Sequence, residues 1–168
     1  MTPDLAEMIP LEIGNLAVSR APDWGLALGL STAGFAARSF TDSDQTCCRV
    51  RGFIGAVLAE WGIGPGPGRD ATLTVAWELV GNAIKHALRE GHHDGGAWLG
   101  LVRKDGAVLV AITDPDPRPP RPSRPDVMDE NGRGLVLVTV LSSAWGWTLS
   151  PAGGKTVWAR IPTLRSAV

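Results

Sequence analysis

The segment "WELVGNAIKHALREG", residues 77–91, combines two patterns in one helical stretch. At about 100° per residue, Leu73, Ala76, Trp77, Val80, Ala83, Ile84, Ala87 and Leu88 form a broad apolar stripe. Glu78, Asn82, Lys85 and His86 cluster on the other side. A stripe this wide has to be covered by another layer, so the helix, read as running from about Ala71 to Glu90, predicts a sheet packed against it. The polar side admits two readings. One is ordinary solvation. The other is a site: Asn is a mediocre helix former that competes for the backbone. A carboxylate four residues before a carboxamide can serve a magnesium–phosphate centre, the amide oxygen as metal ligand and the carboxylate as base. His86 keeps the register of Asn82 and serves either as a structural hydrogen bonder or as an acid–base group.

Upstream, Val50, Phe53, Ile54, Val57, Leu58 and Trp61 recur at helical spacing within residues 44–61, after the capping signal "TDSD". "GIGPGPGRD" breaks the chain between the two helices, and Asp70 is expected to cap the second. Downstream, "AWLGLV" (97–102) and "AVLVAITD" (107–114) read as strands joined at Asp105-Gly106, a strong hairpin signal. "PDPRPPRPSRPD" is too rich in proline for a helix or a central strand. As polyproline II it would align Arg118, Arg121 and Arg124 in a basic ridge for phosphates or an acidic partner; as a solvated loop it is merely stiff. A helix with Leu135, Val138 and Leu141 inward follows "NGRG", and "WGWTLS" and "KTVWARIP" read as closing strands. This order predicts an α+β fold, a two-layer α/β sandwich whose mixed, mostly antiparallel sheet carries helices on one face.

The 168 residues fit one domain, with 44% hydrophobic and 20% charged residues and a formal net charge of -1. That balance supplies no global basic field for nucleic acid, so anion binding must be local. The start "MTPDLAEMIPLEIG" has acids and prolines where a secretory signal has basic residues and an apolar block. "GLALGLSTAGFAA", residues 25–37, is too short for a membrane helix and reads as buried strand. Adjacent Cys47 and Cys48 make a poor structural bridge, which points to a reduced, cytoplasmic protein. "GHHDGG" has adjacent histidines without further ligands and reads as a helix terminus rather than a metal site.

Three later segments bear on the polar face. Asp114 ends a hydrophobic strand, either as a turn former or as a rim carboxylate able to accept from an exocyclic amine. Gly132 and Gly134 precede an apolar helix, either as a turn or to present free N–H groups and the positive end of the dipole to phosphate. Thr156 opens a strand expected to lie inside the sheet, and alone it is an ordinary strand threonine.

In this order, "ELVGNAIKHA", "ITDPD", "GRGLVLV" and "GGKTVWARIP" resemble the boxes of the Bergerat-fold, histidine kinase-like (GHKL) ATPase superfamily. Length, "FAARSF", "LAEWGI" and "GRGLVLVTVLSSAWGW" are most similar to its anti-sigma regulatory factor and serine-protein kinase class. The resemblance covers residues 35–162, leaving residues 1–34 as an N-terminal extension and 163–168 as a tail. It implies ATP and Mg2+ as cofactors. By it, Glu78 is the general base, Asn82 the Mg2+ ligand, Asp114 the reader of the adenine amine, Gly132 and Gly134 the phosphate-facing backbone, and Thr156 a support on the adenine side. Charge and position add Lys85 and Arg133 as partners of phosphate oxygens. The implied activity is phosphorylation of a serine on a STAS-type anti-anti-sigma protein, in a chain that also sequesters a sigma factor, with homodimerisation as in relatives and no direct nucleic-acid or membrane partner. A kinase-inactive partner-switching module with weak or no nucleotide binding is the alternative, and a detached histidine-kinase catalytic domain a third. One departure stands out: the superfamily box reads Asp-x-Gly-x-Gly, whereas Asp116 and Arg118 fill both glycine positions here.

Overall fold

The computed structural model describes residues 34–43, 45–90, 96–120, 134–149 and 153–163. In chain order these form β1 (Phe35–Phe40), α1 (Thr46–Glu60), α2 (Pro67–Asn82), β2 (Ala97–Lys104), β3 (Ala107–Asp114), α3 (Gly134–Leu141), β4 (Ala144–Leu149) and β5 (Lys155–Pro162). A π-helical segment, Ala83–Arg89, continues α2 without a break, both junction residues keeping right-handed helical dihedrals. The strands lie in the order β1-β2-β3-β5-β4, and every pairing is antiparallel. The β2–β3 turn has φ of 50° at Asp105 and 68° at Gly106, the left-handed pair that a tight hairpin following the strand twist demands.

Leu99, Leu101, Val108, Val110, Ile112, Val157, Ala159 and Ile161 form the sheet side of the core. Alternation along each strand puts them on one face, and Ile54, Leu58, Val75, Leu79, Val80, Ile84 and Val138 cover them from the helices. The result is the α+β two-layer arrangement. Each fully buried side chain of this size contributes about 1.5–3 kcal/mol, so the helix layer is fixed mainly by burial.

The second helix starts four residues before the expected Ala71. Pro67 takes its first position, where the missing N–H costs nothing, and Asp70 lies inside the first turn, favourably placed for the dipole without capping. The first helix begins at Thr46, and its Thr46 hydroxyl donates to the Thr41 carbonyl at 2.6 Å. The buried arc of α2 is also rotated from the expected stripe. Thr72, Val75 and Leu79 are buried, while Leu73 is half-buried and Trp77 is 42% exposed. The reason is that α2 packs against α1 and α3 as well as the sheet. Among the described residues no helix is long and apolar enough to cross a membrane. Cys47 and Cys48 are free thiols. The expected strand before Phe35, the "GHHDGG" histidines, Arg121 and Arg124 lie outside the described residues.

Candidate active site

Three elements converge at the Asp114 end of β3. From α2 come Glu78 and Asn82, one helical turn apart and both half-buried. Against them starts α3: a Cβ built on Gly134 would lie 2.7 Å from Glu78 Oε2 and 3.8 Å from Asn82 Nδ2. Residue 134 therefore has to be glycine if the carboxylate is to rest at the head of α3. Among the described residues, neither the Glu78 nor the Asn82 side chain has a hydrogen-bond or ion-pair partner.

The sheet contributes a buried ion pair. Asp114, last in β3, faces Lys155, first in β5, across the ladder. Lys155 Nζ donates to Asp114 Oδ1 and to the Asp116 carbonyl, each at 3.0 Å. The Asp116 N–H donates to the same Oδ1 at 2.9 Å, and among the described residues Oδ2 has no hydrogen-bond partner. Burial pushes the Asp114 carboxyl above the ordinary aspartate value, only partly opposed by Lys155 and the Asp116 N–H. A buried pair of this kind survives because each charge has further hydrogen bonds.

Arg118 then folds back on Asp116, its Nε and Nη2 reaching Oδ2 at 2.8 and 2.6 Å, and Nη2 also donates to the His86 carbonyl at 3.1 Å. Burial alone would raise Asp116, but the Arg118 hydrogen bonds and the Lys155 charge outweigh it and hold the carboxyl below its usual range. Among the described non-glycine residues only Asp105 has positive φ. Asp116 and Arg118 thus occupy the superfamily's glycine positions with ordinary backbone, and Arg118 is pinned to the site's edge rather than free on a basic ridge.

Between these groups lies a cleft of about 240 Å³. Leu79, Ala83, Ile112, Leu135 and Val157 form its apolar walls; Asn82, Asp114 and Lys155 supply the inner polar groups, and His86, Glu90 and Arg118 the rim. Apolar walls with a few convergent polar groups are the composition of a small-molecule site. Part of its helical wall, at Ala83 and His86, is the π-helical segment, where the Glu90 N–H reaches back five residues to the Lys85 carbonyl at 3.1 Å. Such widened turns recur at functional sites. At the rim, His86 Nδ1 and Glu90 Oε2 are 2.9 Å apart, and this contact lowers the Glu90 pKa.

Of the residues expected from sequence, Glu78, Asn82, Asp114 and Gly134 are brought together. Lys85 is half-buried on the π-helical segment and does not line the cleft. Thr156, expected beside the adenine, faces the other way. Its hydroxyl meets Thr113 Oγ1 at 2.8 Å on the sheet face away from the helices, because alternation gives the cleft face to its neighbours Lys155 and Val157. Lys155 was the residue missed, and the strand period in "GGKTVW" was the signal that could have found it. Gly132 and Arg133 lie outside the described residues.

Among the described residues no group of three or more His, Cys, Asp or Glu is arranged to hold a metal. A Mg2+ site needs no such group, since this ion commonly takes one or two protein ligands and completes its shell with water and substrate phosphates. The Asn82 amide, unpartnered among the described residues, and the close approach of Glu78 to the head of α3 fit such an ion.

A family model described as the histidine kinase-like ATPase domain matches residues 40–161. An uncharacterized protein of Streptomyces coelicolor is 37% identical over 70 residues, a match spanning 38% of this chain and 64% of that protein. The family match takes in every residue that meets in the cleft. This chain belongs to the histidine kinase-like ATPase domain family, a membership that implies ATP binding.

Proposed function

We propose that this protein is an ATP-dependent serine/threonine protein kinase of the anti-sigma-factor type, acting in the cytoplasm and regulating transcription by partner switching. Its substrate would be a serine of a STAS-type anti-anti-sigma protein, and its second partner a sigma factor. The observation that supports this reading best is the convergence of Glu78 and Asn82 on the head of α3, beside a cleft that ends on Asp114.

In this reading the adenine occupies the apolar slot, with its amine on Asp114, and the phosphates run toward the N-terminus of α3. Asn82 would hold Mg2+, whose charge supplies neutralisation along the phosphates. Glu78, unpaired among the described residues and next to that position, would accept the proton of the attacking serine hydroxyl. Lys85 and the residues preceding Gly134, Arg133 among them, would meet phosphate oxygens. Homodimerisation would place two such sites in one assembly.

A second reading, a kinase-inactive partner-switching module, draws support from the Asp114–Lys155 pair, which already engages one oxygen of the base-reading carboxylate. Calorimetric titration with Mg-ATP, and transfer of γ-phosphate to a STAS-type protein, separate the two. Saturable binding that weakens in Asn82→Ala, with transfer abolished in Glu78→Ala, supports the kinase. Binding without transfer above the Glu78→Ala level favours the module, and no binding by the wild type removes the nucleotide reading.

A further inference from the structure

Lys155 is 5% exposed, yet it lines the cleft and, among the described residues, spends only two of its three ammonium N–H groups on protein acceptors. Burying a lysine is costly unless every donor is used. Two contacts hold this ammonium in place, on Asp114 Oδ1 and on the Asp116 carbonyl, so the remaining donor is fixed rather than mobile. Next to it, Asp114 Oδ2 accepts no hydrogen bond among the described residues. A fixed donor beside a fixed acceptor, between the apolar walls of Leu79, Ile112 and Val157, is a recognition edge for a flat heterocycle.

With the base oriented as in the reading above, its position-6 edge on Asp114, the order of the two groups matches adenine. Adenine presents an amine donor at position 6 directly beside an acceptor nitrogen at position 1. If Asp114 takes the amine, the adjacent ring nitrogen meets the lysine side of the pair. Guanine offers the reverse, an oxygen at position 6 and an N–H at position 1, which would set oxygen against carboxylate and N–H against ammonium. Resting on the nucleotide-binding reading above, we infer that Lys155 is a specificity-determining residue that donates to N1 of the bound adenine, so that this protein reads both groups of the base edge directly from side chains. The same pairing explains why a lysine is tolerated where burial disfavours it: the base completes its third hydrogen bond.

The test changes the ligand first and the protein second. Dissociation constants for Mg-ATP and for its 1-deaza analogue, in which a C–H replaces N1, are measured by calorimetry on the full chain. Loss of a charge-assisted hydrogen bond predicts about tenfold or greater weakening for 1-deaza-ATP in the wild type. Lys155→Met should bind the two nucleotides with equal affinity, while Lys155→Arg should keep part of the preference. Equal affinity of the wild type for both nucleotides overturns the role of Lys155 and leaves ATP binding standing. Failure of the wild type to bind either overturns the nucleotide reading itself. Because the wild-type comparison needs no substitution, a variant that failed to fold would not protect the idea.

Discussion

Gly153 and Gly154 form a matched pair that separates backbone strain from steric exclusion. Both have positive φ, +91° and +84°. A Cβ on Gly153 would meet nothing within 4 Å, whereas on Gly154 it would run into the Asp114 carbonyl oxygen and lie 3.0 Å from Pro115 Cα. Alanine at either position pays for the left-handed conformation, about 1–2 kcal/mol. Only Gly154→Ala adds overpacking against backbone, which cannot rotate away, at about 1–3 kcal/mol more. The expected destabilisation is therefore about 1 kcal/mol for Gly153→Ala and about 3 kcal/mol for Gly154→Ala. For a chain of this length those figures correspond to melting-temperature decreases of roughly 2–4 °C and 6–12 °C. Urea unfolding followed by tryptophan fluorescence, with the midpoint shift read at constant slope, measures both. The clash presses on the Asp114 end of β3, so relief requires that carboxylate and its Lys155 partner to shift. Nucleotide affinity should then fall in Gly154→Ala and stay unchanged in Gly153→Ala. Equal destabilisation of the two variants would refute the close approach of the Gly154 backbone to β3, and with it the idea that this turn sets the carboxylate's position.

Two further outcomes follow from the site. Gly134→Ala should alter folding stability by no more than about 1 kcal/mol, because the atom it meets is the end of a flexible side chain, Glu78 Oε2. If Glu78 is the general base, as proposed, its displacement should still lower phosphotransfer by about 10²–10⁴-fold, matching Glu78→Gln, with no extra loss in the double variant. Acid unfolding should show the Asp116–Arg118 pair. The folded pKa of Asp116 lies below its ordinary 3.8, so its stabilisation is complete above that value and is lost as pH falls through the depressed folded pKa. Urea midpoints measured from pH 6 downward should decline less steeply in Asp116→Asn as the pH falls from 3.8 through the depressed folded value. Asp114 acts in the opposite sense, since its raised pKa makes protonation more favourable in the folded state.

Periodicity carried the fold. The strand "KTVWARIP" emerges with its expected bounds as β5, and Leu135 and Val138 turn inward as their spacing requires. Local pattern served less well where two layers compete for one helix. Trp77 belongs to the stripe by angle alone, but α2 also touches α1 and α3, and the extra partners rotate the buried arc toward Val75 and Leu79. The π-helical segment left no compositional mark, because "AIKHALR" is as compatible with an ordinary helix and its register is set by what the wider turn packs against. At the site, the residues legible in sequence were those whose role is local: Glu78 and Asn82 share a helix face, and Gly134 opens a helix.

Lys155 was hidden for a different reason. Its meaning depends on a partner 41 residues away, through a cross-strand register that no single segment contains. The motif drew the eye to the threonine, while the two-residue period of the strand awards the cleft to the lysine before it. In the reading proposed above, where Asp114 takes the adenine amine, the residue opposite it in the sheet has direct access to the same edge of the base. A change there alters recognition without disturbing any of the residues by which the fold is recognised. Asp114 and Lys155 therefore form one recognition unit, assembled only when β3 and β5 pair.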